Sequence, residues 1–129
     1  MTAARPPFNW AEYLRLATEL SQTQDEASQR SSISRAYYSV YHAATIHAQR
    51  KGYTGRSHHE LWAYYQGDPD RNCRKLSQLG NSMKVARKNA DYVTVIPDIP
   101  DTMAQQLEYA RRVLAILSTL AAGNQPALP

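Results

Sequence analysis

The sequence predicts an all-α protein, an up-and-down bundle of four long helices and one short helix. Apolar residues recur every three or four positions along most of the chain, which is the spacing of one helix face. The 129 residues include only five glycines, and most of these stand, like the prolines, at breaks between the periodic segments. Residues that cap helices precede most of these segments.

The first helix is predicted to open at Asn9 and to run to about Ser21. Asn9 can cap the helix, Glu12 stands three residues later, and Phe8 and Tyr13 have the spacing of a hydrophobic staple. The apolar positions that follow at helical spacing are Trp10, Tyr13, Leu14, Ala17 and Leu20.

The second helix is predicted to be the longest. Thr23 and Glu26 have the spacing of a capping box, and Gly52 follows the basic pair Arg50 and Lys51, as is typical of a helix end. The predicted core face of this helix comprises Ile33, Ala36, Tyr37, Val40, Ala44 and His47.

A short third helix is predicted from Ser57, with Glu60 three residues later, to just before Gly67. The pair Asp68-Pro69 is expected to open a fourth helix, with proline at its first position. Its apolar face contains Leu76, Leu79 and Met83, followed by Ala86 or Ala90.

Residues 92–96 are rich in strand-forming types, but Pro97 and Pro100 follow them. We therefore predict an extended connector, with a short edge strand as the alternative. Asp101 is expected to cap the last helix, which ends near Gly123. The core face of this helix comprises Met103, Leu107, Ala110, Leu114, Leu117 and Leu120.

The length suits a single domain over residues 1–129, with residues 1–7 and 124–129 expected to be flexible. A single cysteine, Cys73, excludes an internal disulfide and any multi-cysteine metal site. The chain has no apolar run long enough to span a membrane, and its start lacks the apolar core of a signal peptide. These features predict a cytoplasmic protein. No glycine-rich nucleotide-binding motif is present.

Positive charge is concentrated in two regions of a chain whose net charge is +4. Residues 27–59 contain five basic residues and no acid, and residues 71–90 contain six basic residues and no acid. Two basic helices favour a surface that faces phosphates. The alternative is an ordinary solvated face.

Arg35 and His42 are seven residues apart in the predicted second helix. Seven steps of ~100° fall about 20° short of two full turns, so both side chains lie on one face. That face is opposite the predicted core face, yet it includes the large side chains of Tyr38 and Ile46. A second contact surface, most simply a homodimer interface, is therefore expected. The other residues assigned to this face are Ser31, Ser39 and Gln49.

An arginine and a histidine on one helix face can cleave RNA without a metal ion. His42 would remove the proton from a ribose 2′-hydroxyl, and Arg35 would stabilise the charge on the phosphate under attack. The alternative is that both residues only pair with carboxylates across an interface.

The segment from Ser34 to Ala44 resembles the signature helix of HEPN domains, small helical bundles found in many prokaryotic toxin–antitoxin and defence loci. Family members carry an arginine, four to six residues and a histidine. Arg35 and His42, with six residues between them, fit this pattern. The resemblance also covers Phe8–Leu14, Arg30–Tyr38, His59–Trp62 and Arg87–Tyr92.

The resemblance implies a homodimer with a composite active site between paired signature helices, and metal-independent endoribonuclease activity on RNA. It also implies a toxin or effector role, in many members beside a nucleotidyltransferase-type antitoxin from an adjacent gene. No cofactor is expected. The expected catalytic residues are Arg35 and His42. The residues expected to line the cleft or contact RNA are Tyr38, Ser39, Lys84 and Arg87. Those expected at the dimer interface are Ser31, Tyr38 and Ile46.

Two positions differ from the family pattern. Ala36 follows Arg35, where active members often have a polar residue, and Ala44 replaces the tyrosine that one toxin branch carries two residues after the histidine. These differences favour an alternative, a non-catalytic HEPN module that binds a nucleotide or a nucleotidyltransferase-type partner. A third hypothesis is a helical interaction domain without a nucleic-acid role.

Two further histidine sites have plainer interpretations. His58 and His59 with Glu60 could bind a metal ion, but adjacent histidines do not share a helix face, so a solvent-facing turn is favoured and no metal site is predicted. His47 lies on the predicted core face and is interpreted as a hydrogen-bonded core histidine.

Overall fold

The computed structural model describes residues 4–123, and this part of the chain is all-helical, with five helices and no strand. The helices are α1 (Ala11–Leu20), α2 (Glu26–Gln49), α3 (His58–Gln66), α4 (Arg71–Tyr92) and α5 (Ile99–Gly123). None of these five is long and apolar enough to cross a lipid bilayer. The flexibility expected of residues 1–3 and 124–129 concerns positions outside the described part.

Helix α2 lies at the centre of the fold and packs against α1, α4 and α5, while α3 packs mainly on α4. The predicted core face of α2 is confirmed for its five apolar members, Ile33, Ala36, Tyr37, Val40 and Ala44, all of which are buried.

The opposite side of α2 is also covered, because α1 packs on it. Ser32, on that side, is completely buried, and its hydroxyl donates a 2.7 Å hydrogen bond to the Ala17 carbonyl of α1. Small residues let the two helices approach closely, so α2 is buried around most of its circumference. The expectation that the Arg35–His42 face points away from the rest of the chain is therefore wrong along part of its length.

The third helix begins as predicted. The Ser57 hydroxyl accepts a 3.0 Å hydrogen bond from the Glu60 amide, and α3 ends just before Gly67. At the start of the chain, Asn9 Oδ1 accepts from the Ala11 amide, and the Phe8 and Tyr13 rings meet edge-on at 5.4 Å. The predicted staple is thus present.

The predicted starts of α2 and α4 each lie two residues too early in the sequence. Asp25, not Thr23, caps α2 and accepts a 2.9 Å hydrogen bond from the Ser28 amide. The Thr23 hydroxyl instead donates to the Leu20 carbonyl at the end of α1. Asp70 likewise caps α4 through the Asn72 amide. Pro69 therefore lies just before the capping residue Asp70 and is not the first residue of the helix, contrary to the sequence prediction.

An extended connector joins α4 to α5, as predicted, and α2 holds it in place. The Arg30 guanidinium donates to the carbonyls of Ala90, Val93 and Thr94 at 2.6–3.0 Å. Helix α5 then begins at Ile99, so Asp101 lies in its first turn and does not cap it.

Candidate active site

The ring of Tyr38, on α2, has two arginines and two histidines around it. The guanidinium carbons of Arg35 and Arg87 lie 5.4 and 5.3 Å from the Tyr38 ring centroid. The imidazole centroids of His42 and His58 lie 6.0 and 6.1 Å from the same point. Three helices supply these groups, because Arg87 belongs to α4 and His58 is the first residue of α3.

The Arg35 guanidinium is held by aromatic rings and not by acids. It lies 5.0 Å from the Tyr13 ring of α1 in addition to its contact with Tyr38. None of the ion pairs formed within residues 4–123 involves Arg35. Its N–H groups can therefore form a bidentate pair of hydrogen bonds with an anion such as a phosphate.

The imidazole of His42 is covered on one face by Trp10. The two rings are stacked with centroids 3.7 Å apart and planes 17° apart. Burial lowers the pKa of His42 below its ordinary value, because a charged imidazole loses hydration there. Within residues 4–123 the ring makes no hydrogen bond, and its nitrogens are not among the buried atoms that lack a partner. The side chain is thus neutral at neutral pH, as a proton acceptor must be.

The imidazole of His58 is part of a fixed network, whereas the sequence favoured a solvent-facing turn. Its ring stacks on Tyr41 with centroids 4.0 Å apart, and Nδ1 lies 2.6 Å from the Tyr37 hydroxyl. The indole N–H of Trp62 donates to the same hydroxyl at 3.2 Å. Since an indole nitrogen only donates, the Tyr37 oxygen accepts that bond and can give its own proton to His58 Nδ1. This arrangement favours the neutral tautomer with the proton on Nε2.

Positive charge surrounds His58. Burial lowers its pKa most, and Arg87, Lys84, His42 and Lys88 add repulsion in the same direction. The imidazole is therefore neutral in the free protein near neutral pH. Negative charge placed among these groups would reverse the repulsion and favour protonation.

Arg87, which was expected to line the cleft or contact RNA, is buried. Its side chain is 10% exposed, and its guanidinium forms a 3.5 Å ion pair with Asp91. It also lies 5.7 Å from the Tyr37 ring, while its Nε has no hydrogen-bond partner in the described part. Arg87 is thus a buried cation beside the rings of Tyr37 and Tyr38. Lys84, three residues earlier on α4, is half-buried and close enough to His58 to affect its pKa.

The other predicted site residues have different environments. Ser39 is completely buried, and its hydroxyl has no partner among residues 4–123. It therefore does not line an open cleft, because the neighbouring helices cover it. Ser31 is exposed. Ile46 is half-buried beside a groove of about 520 Å³ formed with residues 7–11, Ala43 and Arg50. The chain's own N-terminal segment thus covers part of the predicted dimer face.

His47 and Cys73 take no part in this cluster. The predicted core histidine His47 is half-buried and only partly hydrogen-bonded: Nδ1 lies 2.9 Å from the Tyr65 hydroxyl, and Nε2 has no partner among residues 4–123. Burial raises the pKa of the Cys73 thiol to about 11, so it is not a thiolate nucleophile at neutral pH. No three histidine, cysteine or acidic side chains within residues 4–123 lie close enough together to hold a metal ion.

Sequence reasoning missed the contributions of His58 and Trp10. Both residues stand at the start of a helix, and their positions depend on how α1 and α3 pack against α2. The only signal in the sequence was the presence of a histidine, His58, directly after Ser57, the residue predicted to cap α3.

No family model, curated protein or solved structure matches the chain.

Proposed function

We propose that the protein is a metal-independent endoribonuclease in which Arg35 and His42 act on RNA. One observation carries the proposal. Around Tyr38, an arginine without a carboxylate partner in the described part lies on the same helix face as a histidine held neutral by burial. A neutral imidazole accepts protons and a free guanidinium binds phosphate, which are the two requirements of cleavage by a 2′-hydroxyl.

The reaction begins when His42 takes the proton from a ribose 2′-hydroxyl. The 2′-oxygen then attacks the adjacent phosphorus, and the bond from phosphorus to the 5′-oxygen breaks. Arg35 stabilises the negative charge that grows on the non-bridging oxygens. The products are a 2′,3′-cyclic phosphate and a 5′-hydroxyl end. DNA lacks the 2′-hydroxyl and would remain uncut.

We further propose that the chain is a HEPN-type protein that forms a homodimer through the face that contains Ser31, Tyr38 and Ile46. The half-buried Ile46 and the open groove beside it support a contact surface there. A toxin or effector role beside a nucleotidyltransferase-type antitoxin follows from the same resemblance. Neither partner is required for the chemistry of Arg35 and His42.

Single-turnover cleavage of a mixed RNA pool in the presence of EDTA tests the proposed function. The wild type is expected to produce cyclic phosphate ends, and His42→Ala is expected to slow cleavage by about a hundredfold to ten-thousandfold. Arg35→Ala should slow cleavage and also weaken RNA binding, because it removes a phosphate contact. Equal rates for the wild type and His42→Ala would mean that the proposal is wrong.

The aromatic surroundings favour a second candidate, a non-catalytic module that binds a nucleotide. The Arg35 guanidinium lies beside the rings of Tyr13 and Tyr38. The indole of Trp10 packs edge-on against the Tyr13 ring. Aromatic rings next to a cation are suited to bind a base and its phosphate. Tight binding of a nucleotide by both wild type and His42→Ala, without cleavage of RNA by either, would favour this function.

A further inference from the structure

We propose that His58 is a second catalytic residue, the general acid that protonates the 5′-oxygen as it leaves. The inference rests on the proposed ribonuclease function and deepens it. It places the base and the acid in one chain, so that a single copy carries both proton-transfer groups. The resemblance instead implied that a second copy completes the site.

The positions of the two histidines support this assignment. The Tyr41 ring centroid lies 5.2 Å from that of His42 and 4.0 Å from that of His58. The two imidazole centroids are therefore within about 9 Å of each other. Both imidazoles are thus close enough for one bound phosphate to reach them, since a hydrogen bond of about 2.9 Å extends from each ring nitrogen to an oxygen. In an in-line displacement, the attacking and leaving oxygens lie on opposite sides of phosphorus, so a base and an acid are needed on opposite sides.

The hydrogen bonds of His58 fit the role of an acid. The Tyr37 hydroxyl fixes Nδ1, and Trp62 in turn fixes that hydroxyl, so Nε2 is the nitrogen left to face a substrate. The groups that disfavour the charged imidazole are Arg87, Lys84 and Lys88 of α4 and His42 of α2. A bound phosphate offsets their charge, and His58 then takes up a proton from water. The protonated Nδ1 can donate to the Tyr37 oxygen, so the contact is kept in both states.

The proton balance of the proposed step is complete. His42 accepts the 2′-hydroxyl proton as the bond between the 2′-oxygen and phosphorus forms. His58 gives its Nε2 proton to the 5′-oxygen as the bond from phosphorus to that oxygen breaks. That donation leaves His58 neutral, ready to be protonated when the next RNA binds, and after product release His42 loses its proton to water. No oxidant, reductant or co-reactant is needed.

The test compares two RNAs that differ at one atom of a mapped cleavage site. One is ordinary RNA, and the other has sulfur in place of the bridging 5′-oxygen. A thiolate leaves without a proton, so a general acid is needed only for the first RNA. The variant is His58→Asn, whose short amide can keep the hydrogen bond with Tyr37. The matched control is His59→Asn, since His59 is the exposed neighbour of His58.

We expect His58→Asn to slow cleavage of ordinary RNA by about a hundredfold to ten-thousandfold and to cleave the sulfur-containing RNA at nearly the wild-type rate. His42→Asn should slow both reactions, because the base is needed in each. His59→Asn should slow neither. Equal slowing of both RNAs by His58→Asn, or no slowing of either, would overturn the assignment of His58 and leave the proposed function intact.

Mixing the inactive His42→Asn and His58→Asn variants tests whether one chain holds both groups. If each chain has a complete site, every site in a mixed dimer lacks one histidine and the mixture remains inactive. Recovery of cleavage would overturn the single-chain assignment, because it requires histidines from two copies in one site. A wild type that cleaves neither RNA would overturn the proposed function, and this inference with it.

Discussion

The indole of Trp10 lies flat against the imidazole of His42, with ring centroids 3.7 Å apart. Trp10 immediately precedes α1, and His42 is near the middle of α2. The contact therefore places the residue that precedes α1 directly over His42, the proposed general base. It also explains part of the burial that lowers the pKa of His42.

Replacing Trp10 with alanine should raise the pKa of His42. The substitution returns water to one face of the imidazole, and hydration favours the charged form. Titration of the His42 ring protons by NMR measures the change, and the acid limb of any pH–rate profile should move to higher pH with it. Phe8→Ala is the control, because Phe8 contacts Trp10 but lies outside the stack on His42. Identical titrations for wild type and Trp10→Ala would contradict this account.

The protein should become less stable as the pH falls from about 7.5 to 5. Burial lowers the pKa values of His42, His47 and His58 in the folded chain, whereas unfolded histidines titrate near 6.5. Below that pH the unfolded chain binds more protons, so the free energy of unfolding decreases. The midpoint of urea unfolding at the two pH values measures this. Replacing His47 with glutamine should reduce the pH dependence, because one of the three imidazoles with a lowered pKa is then absent.

Lys84→Gln should weaken RNA binding and make it less dependent on salt, because one cation fewer displaces counterions. The slope of log K against log salt should fall by about 0.7 for single-stranded RNA. Lys75→Gln is the matched control on α4. Nine residues at ~100° each put Lys75 on the opposite face of the helix from Lys84. Equal effects of the two substitutions would mean that binding follows overall charge and not the proposed site.

Ile46→Asp should dissociate the proposed homodimer and retain the helix content. A carboxylate at this half-buried position is tolerated in a solvated groove but carries a cost of several kcal/mol inside an apolar interface. Sedimentation velocity at micromolar concentration and circular dichroism measure the two properties. Val85→Asp is the control, since Val85 is an exposed apolar residue on α4. A monomeric wild type would disprove the dimer but not the single-chain site.

Gly80→Ala should destabilise the fold by about 1–3 kcal/mol, as overpacking usually does. A Cβ atom at this position would lie 2.5 Å from the Trp62 ring, which is completely buried and cannot move away. The better helix propensity of alanine returns at most about 1 kcal/mol. Thermal unfolding measures the difference. Gly67→Ala is the control, because the nearest atom there is 3.5 Å away and the change should be small.

The helices were predictable where the signal was local. The Ser57 cap, the break at Gly67 and the apolar face from Ile33 to Ala44 all depend on residues within a few turns of one another. The sequence alone did not fix the first residue of α2, because Thr23 and Asp25 are both residue types that cap helices. The choice between them depends on where α1 ends, and there the Thr23 hydroxyl bonds back to Leu20.

The candidate site was predictable only in part. Helix periodicity put Arg35, Tyr38 and His42 on one face, because angular position on a helix follows from residue number alone. It did not show that Ser39 would be buried, since that depends on how closely neighbouring helices approach. The burial of Arg87 was hidden for the same reason, because the tyrosines that cover it belong to another helix.

By itself, the sequence determined an all-helical chain and the shared face of Arg35 and His42, since both follow from the 3.6-residue period of the backbone. Only the tertiary structure decided that α1 covers part of that face and that α3 brings His58 to Tyr37 and Tyr41. Contacts between separate helices depend on loop paths and on the fit of whole surfaces. No local pattern encodes them, and they are what bring the second histidine near the first.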